Sequence, residues 1–106
     1  DEHQMTNNPL FLRLATKHFQ TLEKYVPVVS KVHGKTHPEF YEVHKYYDSL
    51  AKKIKSSDSN LSDLSSEFQK LREITNNYSV PNDVCESYEA VYNMLSELDK
   101  AYHALH

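Results

Sequence analysis

Three side chains able to bind a metal flank the two most informative segments of the chain. His33 and His37 lie in Val32-His33-Gly34-Lys35-Thr36-His37-Pro38. Cys85 follows Leu71-Arg72-Glu73-Ile74-Thr75-Asn76-Asn77-Tyr78 and Pro81. Imidazole nitrogen and thiolate sulfur, joined by Tyr78 or an asparagine, can complete a zinc or iron site. The structural alternative is that His33 and His37 cap helix ends and tie two loops together. A thiolate at Cys85, in the first turn of a helix, is favoured by the helix dipole and makes a candidate redox-sensitive thiol. Its structural alternative is a small core residue near Asn82.

Other histidines offer further chemistry. His103 and His106 stand three apart, with Asp99 four residues before His103, so they share a helix face. They can chelate a divalent metal with His3 or Asp58, or simply complement the dipole at a helix C-terminus. His18 and His44 fall inside helical patterns. Either can serve as an axial heme ligand, with Tyr25, Tyr47 or Tyr88 lining a slot between helices. Tyrosine at core spacing otherwise packs with its hydroxyl reaching the surface, and there is no heme-attachment motif. No Ser-His-Asp spacing, phosphate loop or nucleotide fingerprint is present, and one glycine cannot support such loops.

The elements that position these groups read as helices. The 106 residues suit one small domain, and 39% hydrophobic with 25% charged residues is a globular composition. Few breakers, one Gly and four Pro, favour long helices. Interspersed charges with a net of −3 leave no electrostatic footprint for nucleic acid or an acidic membrane. No apolar run approaches the roughly 20 residues that span a bilayer, and no signal peptide is visible. The single cysteine fits a reducing cytoplasm, while Asp1 as first residue leaves open a secreted mature form, a fragment or an engineered minimal bundle.

Four amphipathic helices are predicted, at about 9–33, 37–55, 60–76 and 82–105, in one domain spanning 1–106. Asn8-Pro9 opens the first as N-cap and N1, Pro27 should kink it, and Gly34 ends it as a C′ residue. Its stripe is Phe11, Ala15, His18 or Phe19, Leu22, Tyr25 or Val26, and Val29. Thr36 and Glu39 stand at capping-box spacing before Phe40, Val43, Tyr47, Leu50 and Ile54. The third helix carries Leu61, Leu64, Phe68, Leu71 and Ile74 or Thr75. Asn82 caps the fourth, with Cys85, Tyr88, Val91 or Tyr92, Leu95, Leu98, Tyr102 and Leu105 inward. Short connections predict an all-α, up-down-up-down four-helix bundle, with 32–38 and 76–82 sharing one end.

Tyr25-Val26, Ser30-Lys31-Val32-His33-Gly34 and His37-Pro38 form one set of motifs. The run 75–78, Pro81 and Asp83-Val84-Cys85 form another, continued by Tyr88, Ala90, Tyr92, Leu95 and Glu97-Leu98. Over residues 10–106 the chain resembles the hemerythrin-like domain of the iron–sulfur cluster repair di-iron proteins. The resemblance implies a four-helix bundle enclosing two irons held by His and carboxylates, and repair of damaged clusters under oxidative and nitrosative stress. The family's ligand positions fall here on Leu12, near Ser57, near Leu61 and near Leu105, and a piece between Lys55 and Ser59 is missing. Leucine cannot ligate iron, so a family-type di-iron centre is not expected.

Two functions follow as expectations. One is a degenerate repair-family bundle that binds heme or a single metal through His18, His33, His37, His44, Cys85, His103 or His106. The other is a non-catalytic interaction module whose contact surface is His33, Gly34, His37, Asn76, Asn77 and Tyr78. Exposed Leu12, Leu61 and Leu105 at the opposite end also predict pairing into a homodimer there.

Overall fold

The computed structural model describes the backbone of residues 2–55 and 64–104 and the side chains of 11–54 and 64–103. Four helices follow in order: α1 (Glu2–His33), α2 (Glu39–Lys55), α3 (Leu64–Thr75) and α4 (Glu86–Ala104). They alternate up and down as a four-helix bundle. α1 packs on α4, α2 on α3, and α1 adjoins α2. The long dimension of 47 Å is close to the ~48 Å expected of the 32-residue α1 at 1.5 Å per residue.

The expected stripes are the core. Phe11, Ala15, Phe19, Leu22, Val26 and Val29 of α1 are buried, so Phe19 and Val26 win over His18 and Tyr25. Phe40, Val43, Tyr47 and Leu50 of α2 meet Leu64, Phe68, Leu71 and Thr75 of α3, while Tyr88, Val91, Tyr92, Leu95, Leu98 and Tyr102 complete the interior from α4. Aromatic rings organise both halves. Phe40, Tyr88 and Tyr92 cluster near the α1–α2 turn, with centroids 5.0 Å apart for Phe40 and Tyr88 and 4.9 Å for Tyr88 and Tyr92. Further down, Tyr102 meets Phe11 at 5.7 Å and Phe68 at 5.4 Å. Full burial of each such side chain is worth about 1.5–3 kcal/mol.

Several expected boundaries are corrected. α1 already begins at Glu2, so Pro9 lies inside it rather than at N1, and the helix continues through Pro27. Each proline deletes one N–H bond, and the buried stripe from Phe11 to Val29 outweighs that loss. Gly34 does follow α1, but no glycine has a positive φ. Its role is close approach: a Cβ there would collide with the Ser30 carbonyl oxygen and the Tyr41 ring. The Thr36–Glu39 capping box does not form as expected, because Thr36 N–H bonds the His33 carbonyl and Glu39 turns to His37.

At the other connection, α4 begins at Glu86, four residues later than Asn82 predicts. Cys85 is the residue whose carbonyl accepts the first helical bond, from Glu89 N–H, and its side chain is exposed rather than in the core. Asn76, Asn77 and Tyr78 all take left-handed backbone angles, with φ of 55, 61 and 62°. Each such residue costs on the order of 1 kcal/mol unless tertiary contacts hold it. Leu61 and Leu105 lie outside the described residues.

Candidate functional site

Two polar clusters stand out, at different heights on α4. The first joins the α1–α2 turn to the segment before α4. His33 Nε2 lies 3.3 Å from Cys85 Sγ. His37 is held from both sides, its Nδ1 3.2 Å from Glu39 Oε2 and its Nε2 3.0 Å from Asp83 Oδ1. Both ring nitrogens are thus engaged by carboxylates. Both rings stand edge-on against Tyr88, with centroids at 5.5 and 5.6 Å. The Tyr88 hydroxyl meets that of Tyr92 at 3.1 Å, and burial pushes both phenols above their ordinary titration range.

The second cluster is centred on Asp99, which is only 4% exposed. Its Oδ1 accepts from Arg72 Nη1 at 2.8 Å; His103 Nδ1 donates to the Asp99 main-chain carbonyl at 2.9 Å and stands 2.7 Å from Oδ1. Its Oδ2 accepts from the Tyr78 hydroxyl at 2.7 Å. The left-handed turn at 76–78 is what swings Tyr78 back onto Asp99. Its backbone groups are satisfied locally, Asn77 N–H by the Arg72 carbonyl and Tyr78 N–H by Thr75 Oγ1. Burial, and then the hydrogen bond to Asp99, drive the Tyr78 phenol strongly upward.

Cys85 and Asp99 are fourteen positions apart, about 21 Å along the helix at 1.5 Å per residue. The structure therefore brings His33, His37 and Cys85 into one neighbourhood and anchors Tyr78 in another. The expectation that 32–38 and 76–82 form one surface is corrected to this extent: Asp83 reaches His37, whereas the Tyr78 ring is sequestered at Asp99.

The remaining candidates are dispersed. His18 Nε2 meets Glu97 Oε1 at 2.7 Å, joining α1 to α4. His44 stands 3.6 Å from Asp48, one turn along α2. His106, His3 and Asp58 lie outside the residues whose side chains are described. Among the described residues no group of three His, Cys, Asp or Glu side chains is disposed to hold a metal ion. Leu12 is half-buried against the core and borders a groove with Thr16, Phe19, Gln20, Glu23 and Ile54.

Sequence reasoning missed Asp83, Glu97 and Arg72. The i, i+4 spacing of Asp99 and His103 was a usable signal. Nothing in the sequence linked Arg72 to Asp99, because which turns of α3 and α4 lie level depends on the whole bundle. No family model matches the chain, and neither a curated protein nor a solved structure matches it.

Proposed function

We propose that this chain is a non-catalytic protein-interaction module, a shortened hemerythrin-like bundle of the cluster-repair type whose working surface is the end formed by the α1–α2 turn. One observation carries this reading. The exposed large hydrophobic residues among those described are Val28 (55%), Val32 (63%) and Tyr41 (49%), and all three flank that turn. Val28 and Val32 are one helical turn apart. Tyr41 lies over Gly34. Solvated apolar side chains grouped on a tightly braced end favour burial against a partner. Exposed Lys31 and Lys35 border the group, so the partner's expected chemistry is an apolar strip with flanking acidic side chains.

A cofactor at this end has less support. Both His37 ring nitrogens are taken up by the Glu39 and Asp83 carboxylates, and His33 is already engaged with Cys85. The histidines instead brace the surface.

A photo-crosslinking residue placed at Val32 in cells tests the reading. The expected result is a discrete protein adduct, absent when the crosslinker sits at Lys70 and lost on Val28→Asp with an unchanged helical spectrum. Adducts equal in number and kind at both positions, or none at Val32, would overturn it.

A further inference from the structure

We propose that the cleft between the end of α3 and the last third of α4 binds a small multivalent oxyanion, a phosphate or a polycarboxylate, through Arg72, Lys100 and His103. The cleft has a volume of about 370 Å³, at the small end of ligand pockets. Asp99 is the sole carboxylate in its wall. Each of its two oxygens already receives a donor, Arg72 on Oδ1 and Tyr78 on Oδ2, and His103 Nδ1 stands 2.7 Å from Oδ1, so it has little capacity left to attract a cation.

The other wall residues are donors. Arg72 and Lys100 carry fixed positive charge, and Asn77 and Ser96 supply neutral N–H and O–H groups. Asp99 cancels one charge, which leaves an excess of one with His103 neutral and of two with His103 protonated. His103 spends Nδ1 on the Asp99 main-chain carbonyl, so Nε2 is the nitrogen left for a ligand. Arg72 likewise has guanidinium N–H groups beyond the Nη1 bond to Asp99. Two or three cationic donors converging on one small cleft suit an anion carrying more than one charge.

The site is also braced before any ligand arrives. Asp99 orients Arg72 and His103 at 2.8 and 2.7 Å, and is itself buried and held by Tyr78. Pre-ordered donors lose little freedom on binding. None of these residues belongs to the α1–α2 surface, so this site stands or falls independently of the interaction reading.

The test is a two-dimensional amide NMR titration with sodium phosphate and, separately, with sodium citrate, each against sodium chloride at matched ionic strength. The expected result is saturable shifts confined to the amides around Arg72, Asn77, Ser96, Lys100 and His103. Lys100→Gln, an exposed position, should weaken the midpoint by about tenfold, while Lys70→Gln leaves it unchanged. Saturation by phosphate alone identifies a phosphorylated ligand, by citrate alone a polycarboxylate, and by both the shared chemistry; each supports the proposal. Shifts that never saturate, that chloride reproduces, or that Lys100→Gln leaves intact would overturn it.

Discussion

The Tyr78 hydroxyl donates to Asp99 Oδ2 across 2.7 Å, and through that bond a left-handed turn after α3 is fastened to the closing turns of α4. The bond links a locally costly backbone to a buried carboxylate. Tyr78→Phe keeps the ring but removes the donor, leaving Asp99 short of one partner. The expected loss is about 1–3 kcal/mol, read as a lower urea midpoint. An unchanged midpoint would show that water replaces the phenol without cost.

Asn76 tests the backbone itself. At φ 55° a β-branched side chain is strained, whereas glycine is at ease. Asn76→Val is expected to destabilise by about 1–2 kcal/mol. Asn76→Gly should fall within about 0.5 kcal/mol of wild type, because glycine's freer unfolded state offsets part of its gain. If both variants have equal stability, the left-handed turn is not populated in solution.

Gly34→Ala probes the other connection. The added methyl meets the Tyr41 ring, which can move, and the Ser30 carbonyl oxygen, which is backbone. A destabilisation of about 1–3 kcal/mol is expected. Adding Tyr41→Ala should recover only part of it, since the backbone clash persists. Full recovery in the double variant would place the whole conflict in the ring.

Stability should fall steeply in alkali. Burial is the main cause holding the phenols of Tyr47, Tyr78 and Tyr92 well above the ordinary value of 10.0. The folded protein keeps protons that the unfolded chain gives up, so stability is full below pH 10 and declines as pH rises above it. Each of these tyrosines contributes a slope approaching about 1.4 kcal/mol per pH unit. Urea midpoints at rising pH measure the slope, and Tyr92→Phe should reduce it. Phenolate absorbance reaching the full amplitude of all eight tyrosines at the ordinary value, in the still-folded protein, would contradict the burial of these three.

In acid the sign reverses at Glu67. Burial alone would raise this carboxyl, but hydrogen bonds from Lys53 and Ser49, the latter at 2.9 Å, hold it below its ordinary 4.5. Its contribution is present above that value and is lost as pH falls through the lower folded value. Glu67→Gln should cost about 1 kcal/mol near neutrality and flatten the acid limb of the stability curve. A limb of unchanged steepness would assign acid unfolding to other carboxylates.

The amino-acid sequence by itself determined the helices and their buried faces. Phe11 to Val29, Phe40 to Leu50, Leu64 to Thr75 and Tyr88 to Tyr102 recur at helical spacing, and a stripe of that kind can be buried in only one way. It also determined the pair Asp99–His103, because one turn of helix fixes that separation locally. Tertiary structure decided the rest. Which of Phe19 and His18 turns inward, that Cys85 stays outside, and that Asp83 reaches His37 depend on how far each helix is rotated and where it starts. The meeting of Arg72, Tyr78 and Asp99 depends on the height at which α3 stops beside α4. The left-handed run from Asn76 to Tyr78 has locally unfavourable angles; bonds to the Arg72 carbonyl and Thr75 Oγ1 satisfy its amides, and the long-range bond to Asp99 fastens it. Such contacts are set by the summed packing of the bundle, and no stretch of sequence short enough to read in isolation contains that sum.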